Sequence, residues 1–179
     1  ISVISIAGQQ HGMVALDKNG QVIRPALLWN DTRSASDASD LNSEIPEISN
    51  EVGSALVASF TASKVRWLAK NEIQNSQKVA AICLPHDYLS WRLSGSTDIN
   101  DLVTDRSDAS GTGYFDGVKN IYVEKIFKLA HLSENSVYLP KVLSANESGL
   151  KTKNGTLIGP GAGDNAAAAL GVGAQLGDV

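Results

Sequence analysis

A single carboxylate follows a run of glycines near the end of the chain, in Gly159-Pro160-Gly161-Ala162-Gly163-Asp164-Asn165, just before Ala166-Ala167-Ala168-Ala169-Leu170. Glycines bend the backbone and expose its N–H groups. The alanines that follow are the best helix formers. The pattern predicts a turn ending at a helix N-terminus, with Asp164 at or beside it on the rim of a cleft. The partial positive charge of that end suits a carboxylate, and a carboxylate on a fixed backbone suits general-base work. Asp is also a preferred helix N-cap, so the local pattern leaves a purely structural role for Asp164 equally open.

Other chemistry-bearing clusters lie earlier in the chain. Gly8-Gln9-Gln10-His11-Gly12 sets two amides and an imidazole between glycines. Those groups offer donors and acceptors to a hydroxyl-rich ligand, although a polar turn with a solvated His11 fits as well. Asn30-Asp31-Thr32-Arg33 pairs a carboxylate with a guanidinium. There Asp31 reads first as a helix N-cap and Arg33 as its ion-pair partner. His86-Asp87 follows a short apolar run, where a capping or solvated role for His86 outweighs ligand contact. Thr104-Asp105-Arg106-Ser107-Asp108-Ala109-Ser110-Gly111-Thr112 is dense in hydroxyls and carboxylates. Asp105 and Asp108 are close enough in sequence to share a metal, but Asx and Ser/Thr turns account for such a loop more simply. No metal site is expected.

The elements that must position these groups are legible in part. Residues 1–7 are β-branched and largely apolar, the pattern of a buried strand. That strand would deliver Gln10 and His11 at its C-terminal end, where open α/β sheets bind ligands. Asp17-Lys18-Asn19-Gly20 between apolar runs predicts a hairpin. Ala26–Trp29 reads as a third strand. A short helix is expected near 37–41 and a better one over 61–72, with Val65, Leu68 and Ala69 on one face. Val79–Leu84 reads as a strand closed by Pro85, followed by a helix with Leu89 and Leu93 on its apolar side and Gly95 as its stop. Val123, Ile126 and Leu129 mark an amphipathic segment over 120–129. Tyr138–Val142 is a short extended piece, and Thr156–Ile158 is the last strand before Gly159. The mixture predicts an α/β domain with a mixed sheet.

Composition narrows the function classes. The 179 residues carry 15 basic and 19 acidic side chains, a formal charge of −4, and no basic run. That balance disfavours nucleic acid and a membrane surface as partners. No apolar run reaches the ~18 residues of a membrane span. The single cysteine, Cys83, forbids an internal disulfide and suits a reducing, cytoplasmic compartment; it reads as a small buried hydrophobe. The first residues already follow a strand pattern without an initiator Met, and the last follow a glycine where another element would begin. Residues 1–179 are therefore expected to be one domain cut from a longer protein.

Three segments together resemble the FGGY family of carbohydrate kinases, most closely its members that act on xylulose. Ala7-Gly8-Gln9-Gln10-His11-Gly12 resembles the family's sugar-contacting turn, Leu28-Trp29-Asn30-Asp31-Thr32-Arg33 its W-x-D-x-R segment, and Gly161-Ala162-Gly163-Asp164-Asn165-Ala166 the G-x-G-D-N segment that carries its catalytic Asp. Phe60–Trp67 and Thr104–Thr112 are supporting matches, and the likeness covers nearly the whole chain in the right order. The resemblance implies an RNase H/actin-like, N-terminal domain of a two-domain kinase, without its second domain. It implies ATP-dependent phosphorylation of a ketose, D-xylulose first, with ribulose, gluconate and glycerol as alternatives. It assigns Asp164 as the base and Gln10, His11 and Asn165 as sugar contacts. Glycerol kinases of the family carry Arg-Glu where this chain has Gln10-His11, which favours a larger neutral sugar. ATP and Mg²⁺ would be held mainly by other parts of the parent, so these 179 residues alone are expected to be inactive. The implied partners are the small-molecule sugar and ATP, with a homodimer as the one protein assembly entertained.

Two rival readings remain open on sequence. Gly161-Ala162-Gly163-Asp164-Asn165-Ala166 also satisfies the G-x-G-x-x-G/A turn of a dinucleotide-binding oxidoreductase, but that fold needs an acidic residue about 20 positions on. A non-catalytic sugar-binding module is the other, though a pure binder has no need of a base.

Overall fold

The computed structural model describes residues 1–133, 135–175, 177 and 178. The strands are β1 (Val3–Ile4), β2 (Ala7–Gly8), β3 (Val14–Leu16), β4 (Ala81–Cys83), β5 (Val103–Thr104), β6 (Phe115–Asp116), β7 (Ile121–Tyr122), β8 (Lys141–Val142), β9 (Leu150–Lys151), β10 (Leu157–Ile158) and β11 (Ala162–Gly163). The helices are α1 (Ala35–Glu44), α2 (Ile48–Val52), α3 (Thr61–Asn71), α4 (Ile73–Ser76), α5 (Pro85–Ser94), α6 (Arg106–Ser110), α7 (Glu124–His131) and α8 (Asp164–Gly171). Parallel pairs (β1 with β10, β2 with β11, β5 with β8) stand beside antiparallel ones (β10 with β9, β3 with β4, β6 with β7). The sheet is mixed, as the alternation of hairpins and strand–helix units implies. Among the described residues no helix is long and apolar enough to cross a membrane.

The first strand departs from its sequence pattern. Residues 1–7 form two short strands rather than one, and Val3 is 56% exposed. The register explains the break. Val3 pairs with Leu157 and Ile4 with Ile158, but Ala7 pairs with Ala162 and Gly8 with Gly163. One extra residue therefore sits on the later strand between Ile158 and Ala162. At this β-bulge Gly161 lies at φ 82°, a conformation open to glycine. The bulge delivers Gly163 and then α8 beside the end of β2.

Other expectations hold or shift for local reasons. The Asn19-Gly20 hairpin is present. Asp17 Oδ1 accepts from the N–H groups of Asn19 and Gln21, and Gly20 sits at φ 71°. Ala26–Trp29 is not a strand: only Leu27 bridges, to Met13, and Trp29 is exposed. Ser34, not Asp31, stands at the N-cap of α1; Asp31 instead pairs with Arg33 Nε at 2.9 Å, whose guanidinium lies over the Trp67 ring at 4.9 Å. Pro85 opens α5 rather than closing the strand, because its missing N–H costs nothing in a first turn.

One apolar core lies between α3, α7 and α1, built on Leu41, Val65, Leu68, Ile82, Ile126 and Ala130. Within the 120–129 segment, Ile121–Tyr122 is strand and the helix begins at Glu124, so Phe127 and Ala130 face the core and Leu129 is partly exposed. Helix α5 shows the larger departure. Leu89 and Leu93 face solvent, and the buried side is His86, Asp87, Ser90 and Trp91.

Candidate active site

The chain leaves β2 at Gly8 and turns tightly: Gly12 N–H donates to Gln10 O at 2.9 Å, with His11 at φ 66°. A non-glycine residue in this region carries strain and persists only where its surroundings hold it. Three contacts hold His11. Its Nδ1–H donates to Gly111 O at 2.7 Å, its carbonyl accepts from Thr61 Oγ1 at 3.1 Å, and its ring lies 4.8 Å from that of Phe60. A proton on Nδ1 leaves Nε2 of the neutral ring as an acceptor.

Gln10 reaches the other way. Its Nε2 donates to Ser107 O at 2.8 Å, and its Oε1 faces Asn165 Nδ2 at 3.5 Å. The amide packs so closely on the backbone of β11 that a Cβ on Gly163 would stand 2.6 Å from it. Glycine is required at 163 for that approach, independently of any ligand.

Asp164 is the first residue of α8; the N-cap itself is Gly163, whose φ of −60° and ψ of 150° are extended. The carboxylate is exposed, and among the described residues its Oδ1 accepts only from the neighbouring Asn165 N–H at 3.0 Å. Capping does not consume this side chain. The structure sets Asn165 against Gln10 and ties Gln10, His11 and Gly163, the residue before Asp164, to the Thr104–Thr112 segment. Asp31 and Arg33 make no hydrogen bond to Gln10, His11, Asp164 or Asn165 among the described residues.

Against the Thr104–Thr112 segment lies a charged cluster that the sequence disguised. His86, wholly buried, sits between three carboxylates: Nδ1 is 2.9 Å from Asp87 Oδ1, and Nε2 is 2.9 Å from Asp105 Oδ1 and 3.4 Å from Asp108 Oδ2. Asp87 Oδ2 accepts from Leu84 N–H at 2.7 Å across the first turn of α5. Asp105 caps α6 through the N–H groups of Ser107 and Asp108, the Asx turn the sequence suggested. Burial pushes the His86 pKa down, but the hydrogen bond to Asp105 and the charges of Asp87 and Asp108 outweigh it and raise it to about 10. Burial, reinforced by Asp87, Asp105 and Asp164, raises Asp108 to about 8, against the opposing pull of His86. Asp105 moves the other way: its hydrogen bonds to His86 and Ser107 overcome burial and hold it below the usual carboxylate range. His86, Asp105 and Asp108 offer atoms within 4.8 Å of one another, a spacing a cation can bridge. The proton on His86 already fills that role.

The sequence placed Asp105 in its turn but missed the burial of His86 and Asp87. The available signal was a His-Asp pair opening a helix directly after a strand, masked by Leu89 and Leu93. A groove of ≈ 840 Å³ runs past Ser5, Asp105, Arg106, Gly161 and Leu170 and is not lined by Gln10, His11, Asp164 or Asn165. Convergent polar groups mark the site; the groove is bordered mainly by small and apolar side chains.

Comparison with known proteins finds the same arrangement of segments elsewhere. Residues 1–171 match the model of the FGGY family of carbohydrate kinases, N-terminal domain. The chain is 42% identical over 187 residues to a xylulose kinase of Streptomyces coelicolor, covering 98% of this chain and 37% of that protein. The crystal structure of xylulose kinase from Bifidobacterium adolescentis superposes with a TM-score of 0.93 at 39% identity, over 100% of this chain and 44% of that one. A glycerol kinase from Plasmodium falciparum with ADP, at 23% identity and TM-score 0.79 over 96% of this chain and 36% of that one, shares the fold. The chain spans just over a third of the length of the Streptomyces relative.

Proposed function

The chain belongs to the FGGY family of carbohydrate kinases, and from that membership we propose that the whole protein phosphorylates a ketose, D-xylulose first, at the expense of ATP. The observation that supports the reading is an exposed carboxylate, Asp164, directly after Gly163, which is tied to the same 104–112 segment as Gln10 and His11. The likeness to xylulose kinases over nearly the whole chain supports the choice of sugar.

Asp164 is the general base of this reading. It takes the proton of the sugar's terminal hydroxyl as that oxygen bonds to phosphorus and the bond from phosphorus to the leaving ADP oxygen breaks. His11 Nε2 accepts from one sugar hydroxyl, and the amides of Gln10 and Asn165 meet others. A site that pairs polar groups with hydroxyls strongly rejects analogues lacking them. ATP would supply the phosphoryl group, and Mg²⁺ bound with its phosphates and water would supply positive charge. Mg²⁺ would be held mainly by the phosphates, water and other parts of the parent rather than by these residues.

The dinucleotide-binding alternative loses ground on one hydrogen bond. The Gly163 N–H, one of those a pyrophosphate would need, is occupied by Ser107 Oγ at 2.9 Å. The test is ADP release by the full-length protein with xylulose, ribulose, gluconate and glycerol. Xylulose should turn over best; turnover of glycerol as fast or faster would defeat the sugar assignment.

A further inference from the structure

Ser107 links three parts of the site's support: Gln10, Asp105 and Gly163. Its carbonyl accepts from Gln10 Nε2 at 2.8 Å. Its Oγ donates to Asp105 Oδ2 at 2.5 Å and accepts from Gly163 N–H at 2.9 Å. A hydroxyl has a single proton, and here the carboxylate takes it, so towards Gly163 the oxygen acts only as an acceptor. Asp105 is itself pinned, because its Oδ1 accepts from His86 Nε2–H at 2.9 Å and from Asp108 N–H at 3.2 Å. A continuous line of bonds therefore runs from the wholly buried His86, through Asp105 and Ser107, to the backbone one residue before Asp164.

Gly163 is already paired with Gly8 across β2 and β11, and the Ser107 bond fixes its remaining N–H. The approach to Asp164 contains Gly159, Gly161 and Gly163, the residue type with the greatest backbone freedom. The Asp164 side chain contributes only its contact with the adjacent Asn165 N–H. Bonds to an ionised partner are about twice as strong as neutral ones, and the line ends on two of them, at Asp105.

We infer that Ser107 is a positioning residue for phosphoryl transfer: by tying Gly163 N–H to the Asp105–His86 pair it fixes where the Asp164 carboxylate stands. The inference rests on the reading of Asp164 as the base. It also gives the Thr104–Thr112 segment a task that the sequence did not assign. Ser107 acts through Gly163, while its carbonyl orients Gln10.

The experiment compares full-length wild type, Ser107→Ala and Ser107→Thr, by steady-state kinetics with ATP and D-xylulose and by hydrogen exchange of the 161–165 segment. In Ser107→Ala, kcat should fall at least about tenfold, since a displacement near 1 Å costs on the order of a hundredfold. The sugar KM should stay within about twofold, because the carbonyl that holds Gln10 is untouched. Exchange at Gly163 should quicken. Ser107→Thr, which keeps the oxygen, should restore both. An unchanged kcat in Ser107→Ala, equal changes in kcat and KM, or no rescue by threonine would overturn the inference. Should Ser107→Ala not fold, Asp105→Asn weakens the same line while keeping the helix cap, and an unchanged kcat there overturns it equally. If wild type phosphorylates no sugar or polyol, the kinase reading is what fails. The exchange comparison then stands alone: quickened exchange supports the tie, and unchanged exchange removes it.

Discussion

The interior changes character between the α3–α7 interface and the α5–α6 interface. Where α3 meets α7, Val65, Leu68, Ile126 and Ala130 are wholly buried and apolar. Where α5 meets α6, the wholly buried groups are His86, Asp87 and Asp108, and α5 turns Leu89 and Leu93 outward. The first interface is held by removal of apolar surface from water, which does not depend on pH. The second is held by protons, because a buried charge is tolerable only when paired. The candidate site rests on the second through Asp105 and Ser107. Stability and chemistry therefore lean on different halves of the interior, and three measurements can break or sharpen that division.

The largest effect is expected at the site itself. Asp164→Asn keeps the shape and much of the hydrogen bonding but cannot take a proton. General-base catalysis typically contributes 10²–10⁴-fold, so kcat of the full-length protein should fall by about that factor with the melting temperature unchanged. Near-wild-type turnover would remove Asp164 from the mechanism.

Next comes the apolar half. Leu68→Ala deletes a wholly buried side chain and should cost about 2–5 kcal/mol of stability. In protein that remains folded, kcat and the sugar KM should match wild type. A selective loss of kcat would show that the two halves are coupled more tightly than their chemistry implies.

The effect spread most widely, over several pH units, belongs to the charged half. The folded-state pKa of His86 is raised from an ordinary 6.5 to about 10, so its stabilising contribution is whole below pH 6.5 and lost as pH rises to 10. Asp108 is raised from 3.8 to about 8, so the folded chain keeps a proton that the unfolded chain releases, and stability falls as pH climbs across that window. Both act between pH 6.5 and 8, at about 1.4 kcal/mol per pH unit for each extra proton held. Chemical denaturation from pH 6 to 10 should show this decline, and His86→Gln should flatten it above pH 8. A flat wild-type profile would mean that the cluster does not hold its protons as described.

The site was more legible in sequence than its support. Gln10, His11, Asp164 and Asn165 stand in short motifs whose residue types announce hydrogen bonding and base chemistry, and of these Gln10 and Asn165 face each other in the structure. Ser107 and His86 gave no such announcement. A serine in a Ser/Thr-rich loop and a histidine opening a helix look alike whether they face solvent or a carboxylate.

By itself the sequence determined what depends on near neighbours: the Asn19-Gly20 hairpin, the 61–71 helix with Val65 and Leu68 inward, the Asp105 turn, and the glycines that lead to Asp164. These follow from backbone sterics and local hydrogen bonding, which span only a few residues. Tertiary structure alone decided that residues 1–7 divide into two strands, because the extra residue that breaks their register lies more than 150 positions away. It also decided that α5 buries its polar side, because the groups that neutralise His86 include Asp105 and Asp108, 19 and 22 residues further along the chain. A hydrophobic pattern reports what one segment would bury alone; which face is buried depends on what another segment brings to meet it.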